Sequence, residues 1–92
     1  MGKPEGIIED YLIKKAEEHH FLCFKFVSPG RRGVPDRILI GQGHTIFVEL
    51  KSETGNLRKQ QEYRIKEMQE HGAVVYVLNT KEKIDQFFQS FL

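Results

Sequence analysis

The chain has 92 residues, of which 29% are charged and 39% hydrophobic, with a formal net charge of +1. This length and balance are typical of one soluble globular domain over residues 1–92, and so small a net charge does not by itself indicate a nucleic-acid-binding protein. No apolar run approaches the roughly 20 residues of a membrane span, and the first residues lack an apolar signal region. We therefore expect a cytoplasmic protein without membrane contacts.

The first predicted element is a helix from Pro4 to about His20. Glu9 lies on or beside the inward face of this helix, so its carboxylate must be paired, exposed at the rim or bound to a metal ion. Glu5, one turn earlier, is the alternative carboxylate. The apolar residues that define the inward face at helical spacing are Ile8, Leu12 and Ala16.

An almost continuous apolar run over residues 21–27 predicts the first strand. The single cysteine, Cys23, lies in this run, and its apolar neighbours predict an inert core thiol. The loop that follows, residues 28–33, combines turn-forming Gly and Pro with Arg31 and Arg32. Adjacent arginines suit a phosphate backbone, although an ordinary solvated turn is an equally good interpretation.

Residues 37–51 predict a β-hairpin, because two runs rich in β-branched and aromatic residues flank a Gly-rich turn at 41–44. Side chains alternate between the two faces of a strand, so Glu49 and Lys51 share a face. Asp36 lies at the mouth of the neighbouring strand. Two carboxylates and an ammonium group can converge there and hold a divalent cation; the alternative is a solvated cross-strand charge pair.

A helix is predicted from about Arg58 to His71, with Thr54 or Asn56 as its N-cap and Gly72 just beyond its end. Gln61 is the polar member of an otherwise core-facing stripe on this helix. The other members of the stripe are Arg64, Ile65 and Met68.

The continuous apolar run over residues 73–78 predicts a strand buried on both faces. A right-handed crossover makes this strand parallel to the one that carries Glu49. Asn79 and Thr80 begin a final helix, whose aromatic stripe either packs on the sheet or contributes to a subunit interface. The stripe consists of Ile84, Phe87, Phe88 and Phe91. The element order αβββαβα predicts an α/β fold with a mixed four-stranded sheet flanked by helices on both faces.

Three motifs in this order resemble the PD-(D/E)XK nuclease superfamily and its restriction-endonuclease-like core. They are Pro35-Asp36, Glu49-Leu50-Lys51 and the helical Gln61. The resemblance is closest to the VRR-NUC branch, the viral-type replication-repair nucleases. It is carried by residues 25–37, residues 47–51 and Gly55-Asn56-Leu57 followed by Gln61.

The resemblance implies that Asp36 and Glu49 bind Mg²⁺ or Mn²⁺ together with the backbone carbonyl of Leu50, and that Glu9 is the first-helix carboxylate of the site. It also implies that Lys51 is the catalytic lysine and that Gln61 acts beside it. Basic residues that flank the hairpin in sequence are the predicted DNA contacts: Arg31, Arg32, Arg37, Arg58 and Lys59.

The function implied is a metal-dependent, structure-specific DNA endonuclease that acts on branched DNA such as Holliday junctions during repair. By the same resemblance, we expect a homodimer in the cytoplasm of a bacterium or of a phage-infected host. The alternative is a non-catalytic nucleic-acid-binding or interaction module that retains the fold. The joint presence of Asp36, Glu49 and Lys51 favours the nuclease, because a binding module gains nothing from acids clustered near phosphate.

Overall fold

A computed structural model describes residues 4–91 of the chain. The elements follow the predicted order αβββαβα. They are α1 (Glu5–Glu18), β1 (Leu22–Lys25), β2 (Arg37–Gly41), β3 (His44–Leu50), α2 (Lys59–Glu70), β4 (Val75–Leu78) and α3 (Lys81–Gln89). Within this part of the chain, no helix is long and apolar enough to cross a membrane.

The four strands form one mixed sheet in the order β1-β2-β3-β4. β1 pairs with β2 and β2 with β3 in antiparallel fashion, whereas β3 and β4 are parallel. The β2–β3 turn consists of Gln42 and Gly43, which both have positive φ angles of 50° and 81°. This turn geometry matches the twist of the flanking strands. The predicted hairpin and the predicted parallel crossover are both confirmed.

One face of the sheet packs against α1 and α3 and forms the main core. The core includes the three apolar residues predicted for α1 and the buried aromatic residues Phe87 and Phe88 of α3. Thr80 caps α3, because its hydroxyl oxygen accepts a hydrogen bond from the Lys83 amide at 3.0 Å. The aromatic stripe therefore packs on the sheet, and the alternative of a subunit interface has no support at Phe87 and Phe88.

The opposite face of the sheet carries α2, whose Ile65 is buried. The predicted N-caps Thr54 and Asn56 are wrong. Helix α2 begins after Arg58, and the side-chain oxygen of Gln61 accepts a hydrogen bond from the Arg58 amide at 2.9 Å. A glutamine three residues into a helix can reach back to the N-cap amide, so a short polar cap is not needed.

The prediction that β4 is buried on both faces is also wrong. Tyr76 and Val77 are 40% and 38% exposed, and only Leu78 is buried. β4 is the last strand of the sheet, so its outer side has no neighbouring strand and the helices cover it only in part. A continuous apolar run marks an edge strand here rather than a central one.

Cys23 is half-buried against the core rather than fully enclosed. Burial raises the pKa of its thiol, so the reactive thiolate is disfavoured, in agreement with the predicted inert cysteine.

On the face of the sheet that carries α2, part of β1 and β2 is exposed. Leu22 and Phe24 of β1 are 55% and 51% exposed, and Ile40 of β2, which pairs with Leu22, is 36% exposed. These three residues form the open sheet face. Apolar side chains adjacent on one face of a sheet mark a surface suited to another protein.

Candidate metal centre

The hairpin places Asp36 and Glu49 opposite each other. Arg37 pairs with Val48, so the next pair across the two strands is Asp36 and Glu49, and both side chains project toward α2. One Asp36 carboxylate oxygen accepts a hydrogen bond from the Leu50 amide at 2.9 Å. This bond ties the start of β2 to the end of β3 and fixes one carboxylate beside the other.

Glu49 is 1% exposed and is the buried charged residue of the described part of the chain. Its Oε2 accepts a hydrogen bond from Gln61 Nε2 at 3.0 Å and lies 3.6 Å from Lys51 Nζ. Its Oε1 is buried and has no hydrogen-bond partner among the described residues. Burial raises the pKa of Glu49 to about 7; the Asp36 charge adds to the rise and the Lys51 ammonium opposes it.

Gln61 fixes the geometry of this carboxylate. Its side-chain oxygen accepts from the Arg58 amide while its amide nitrogen donates to Glu49. The first turn of α2 is thereby tied to β3. The predicted helical glutamine is thus brought into the site, and both ends of its amide group are used.

Asp36 and Glu49 fit a small divalent cation. Mg²⁺ is commonly bound by one or two carboxylates, with water and substrate phosphate as its other ligands. The Glu49 carboxylate oxygen without a protein partner among the described residues is a hard oxygen donor of the type that Mg²⁺ and Mn²⁺ prefer. Within residues 4–91, no group of three or more Asp, Glu, His or Cys side chains is gathered at one point.

The predicted third carboxylate, Glu9, is engaged elsewhere. Its Oε2 accepts from Arg37 Nε at 3.0 Å, and Arg37 projects from the face of β2 opposite to Asp36. The negative charge of the rival residue, Glu5, makes a smaller contribution to the raised pKa of Glu49, and its place in the site also stays a prediction. The ion pair between Glu9 and Arg37 gives no support to Glu9 as a metal ligand or to Arg37 as a DNA contact, and both stay predictions.

The predicted DNA-binding residues of the loop lie along α2. Arg31 and Arg32 are exposed, and the Arg32 carbonyl accepts a hydrogen bond from Arg64 Nε at 3.0 Å. Arg58 and Lys59 are exposed at the start of α2, next to Gln61. Arg31 lies beside Glu67 and His71 toward the end of α2, whereas Arg58 and Lys59 lie at its start, so the role of these residues as DNA contacts stays a prediction.

Lys51 also faces a second feature, a cleft of about 460 Å³ at the carboxyl ends of β3 and β4. We call it the Asn79 cleft, because Asn79 lines it together with Lys51 and Lys83. Sequence reasoning gave Asn79 only a place before the last helix. Continuing the β3–β4 register by one residue, from the pair Leu50 and Leu78, would have placed it beside Lys51.

Comparison with known proteins agrees with this geometry. The family model described as the VRR-NUC domain matches residues 3–82. A solved structure described as a VRR_NUC domain superposes with a TM-score of 0.85 at 26% identity, covering 96% of this chain and 97% of that chain. The protein named "Putative nuclease p44", from Acyrthosiphon pisum secondary endosymbiont phage 1, is 47% identical over 49 residues, or 52% of this chain and 53% of that protein.

The chain spans about half the length of this curated relative. The family model, in contrast, covers all the elements from α1 to β4 and both carboxylates of the site. The chain therefore belongs to the VRR-NUC family of nuclease domains.

Proposed function

We propose that this chain is a metal-dependent endonuclease that hydrolyses phosphodiester bonds in DNA. The observation that carries the proposal is the buried Glu49, which faces Asp36 and keeps one oxygen without a partner. Two acids in this arrangement repel DNA unless a cation neutralises them. A module that only binds nucleic acid has no use for such a pair, so the geometry favours catalysis.

In this proposal, Asp36, Glu49 and the Leu50 carbonyl hold Mg²⁺ or Mn²⁺. An ion bound there lowers the pKa of water and offsets charge on the phosphate. Lys51 orients the attacking water or stabilises the developing negative charge. Gln61 keeps the Glu49 carboxylate in place through the bond already present.

We further propose that the substrate is branched DNA, such as a four-way junction, and that a homodimer cuts it. Four-way junctions have near two-fold symmetry, which a two-fold protein interface matches. The open sheet face (Leu22, Phe24 and Ile40) supplies exposed apolar surface for that interface. Arg31 and Arg32 would bind phosphates rather than read the base sequence, so cleavage should slow steeply with added salt.

The first experiment incubates a labelled four-way junction with the protein in Mg²⁺, Mn²⁺ or EDTA. Asp36→Asn and Glu49→Gln should abolish cleavage and keep or strengthen DNA binding, because each removes a negative charge near phosphate. Glu17→Gln, which changes an exposed residue of α1, is the matched control. Full activity of either site variant would refute the assignment, and junction binding without any cleavage would support the non-catalytic module.

The first-helix carboxylate is decided by a pair of variants in the same assay. Glu5→Gln should reduce cleavage if the Glu5 carboxylate, whose charge contributes to the raised pKa of Glu49, takes part in the site. Glu9→Gln should reduce it only if Glu9 leaves Arg37 for the metal.

A second experiment tests the dimer and the substrate. Light scattering at micromolar concentration should give twice the chain mass for the wild type and the single mass for Phe24→Glu, which places a charge on the open sheet face. A wild-type monomer would rule out the dimer. Equal cutting of a junction and of a linear duplex of the same length would contradict the preference for branched DNA and would indicate a general nuclease.

A further inference from the structure

Asn79 has an amide oxygen that is buried and has no hydrogen-bond partner among the described residues. The orientation of the amide is set at its other end, where Nδ2 donates to the Glu53 carbonyl at 3.4 Å. Buried polar atoms are almost always hydrogen-bonded in native proteins, because leaving one without a partner is destabilising. A hydrogen-bond donor that reached the Asn79 oxygen in another arrangement of side chains would therefore stabilise it.

Lys51 carries a donor on the same face of the sheet, at the neighbouring position of the adjacent strand. The Lys51 amide donates to the Leu78 carbonyl at 3.2 Å, so the parallel β3–β4 pairing extends to the residues that follow Leu50 and Leu78. Lys51 and Asn79 are thus neighbours across the two strands, and both line the Asn79 cleft. The Asn79 oxygen is sealed from solvent, so a neighbouring side chain that moves can reach it more directly than a ligand in the cleft.

The present contact of Lys51 with Glu49 is an ion pair without a hydrogen bond. Its Nζ lies 3.6 Å from Glu49 Oε2, which is longer than a hydrogen bond, and Gln61 already donates to that oxygen. A cation held by Glu49 would repel the ammonium group. The lysine side chain is long and flexible and carries three N–H donors, so a small rotation can bring it to a neutral acceptor on the next strand.

We propose that Asn79 is a positioning residue for Lys51: its side-chain oxygen accepts a hydrogen bond from Lys51 Nζ when Lys51 leaves Glu49. The inference rests on the proposed nuclease function, and it adds a residue to the site. Lys51 then has two places, an ion pair at Glu49 and a hydrogen bond at Asn79. The second place holds the ammonium group against Asn79, beside the neighbouring strand, instead of against the carboxylate.

The kinetic test uses Asn79→Leu, which keeps the approximate shape and removes the acceptor. We expect kcat to fall roughly tenfold or more, as for the loss of one hydrogen bond from a charged donor, with KM unchanged. Asn79→Asp, which retains a side-chain acceptor, should keep most of the activity. Asn56→Leu, the same change at an exposed position in the same cleft, is the matched control. A kcat for Asn79→Leu equal to that of the wild type would overturn the proposal.

Two further measurements separate positioning from a structural role. Asn79→Leu removes the unpaired oxygen and also the long hydrogen bond to the Glu53 carbonyl, so the urea unfolding midpoint should change little. The variant should have no further effect on kcat in the Lys51→Ala background. The same change should act independently of Lys83→Ala, because Lys83 is the other lysine in the cleft. Coupling to Lys83 instead of Lys51 would overturn the assignment of the donor.

The last measurement does not depend on cleavage. The reactivity of the Lys51 amine toward acetic anhydride is compared in EDTA and in Mg²⁺. Addition of Mg²⁺ should leave Lys51 protected in the wild type and several-fold more reactive in Asn79→Leu, because only the wild type offers the second acceptor. Equal reactivity of the two proteins in Mg²⁺ would refute the proposal, even if the chain proved not to be a nuclease.

Discussion

The metal-free protein should lose stability as the pH rises from about 4.5 to about 7, and Glu49→Gln should remove that loss. Burial, assisted by the Asp36 charge, raises the pKa of Glu49 from 4.5 to about 7 in the folded protein. Between these values the folded state binds a proton that the unfolded chain has released. The resulting stabilisation is complete below pH 4.5 and disappears as the pH passes through 7.

The size of the effect follows from the same two values. Each pH unit between them corresponds to 1.36 kcal/mol, so the full change in the free energy of unfolding is about 3 kcal/mol. Solvent screening does little to reduce it, because Glu49 is only 1% exposed. Such a change is a large share of the roughly 5–15 kcal/mol that stabilises a typical domain. Glutamine is uncharged at every pH, and its side-chain oxygen can still accept the bond from Gln61.

The assay is urea unfolding in EDTA at several pH values between 5 and 8. The quantity of interest is the wild-type free energy of unfolding minus that of Glu49→Gln, because contributions common to the two proteins cancel in this difference. Glu17→Gln, at an exposed position, should show no such trend. A difference that stays constant within about 0.5 kcal/mol over this range would refute the raised pKa and the buried, uncompensated charge behind it.

Three further experiments test metal binding, the role of Lys51 and the packing of the loop at Gly33 against α2. Mn²⁺ at about 100 times its Kd should raise the free energy of unfolding by about 2.7 kcal/mol in the wild type, and calorimetry should detect no binding to Asp36→Asn. Lys51→Ala should lower kcat with little change in DNA affinity measured by anisotropy; the reverse pattern would make Lys51 a phosphate anchor. Gly33→Ala should destabilise by about 2–4 kcal/mol in urea unfolding, because its Cβ would lie 2.6 Å from the Gln60 carbonyl oxygen. Gly30→Ala has a similar positive φ but open space around it, so it should cost only about 1 kcal/mol, and equal losses would contradict the clash.

Much of the fold and half of the site could be predicted from sequence, because they depend on local periodicity. Alternation along one strand puts Glu49 and Lys51 on the same face, and a tight turn fixes which residue of the other strand lies opposite. Helical spacing likewise puts Gln61 on the inward side of α2. These relations need only the repeat of an element and the length of a turn.

The remaining features depend on the order of elements in space, which periodicity does not encode. The continuous apolar run of β4 predicts a fully buried strand, yet the strand lies at the edge of the sheet and is partly exposed. Glu9 matches the family position of a site carboxylate, yet in this arrangement Arg37 holds it. Whether an acid on α1 meets a metal or an arginine depends on the angle at which the helix crosses the sheet.

The pattern of unmet hydrogen bonds connects the fold to the chemistry. Among the described residues, the buried side-chain atoms without a partner are Glu49 Oε1 and Asn79 Oδ1. Glu49 lies in β3, and Asn79 directly follows the parallel strand β4. Lys51, two residues after Glu49, lines the same cleft as Asn79. A sequence selected only for stability would fill or replace both oxygens, since each is destabilising. Their location around one lysine, at the carboxyl ends of two parallel strands, is the arrangement from which we propose a cation site at Glu49 and a positioning role for Asn79.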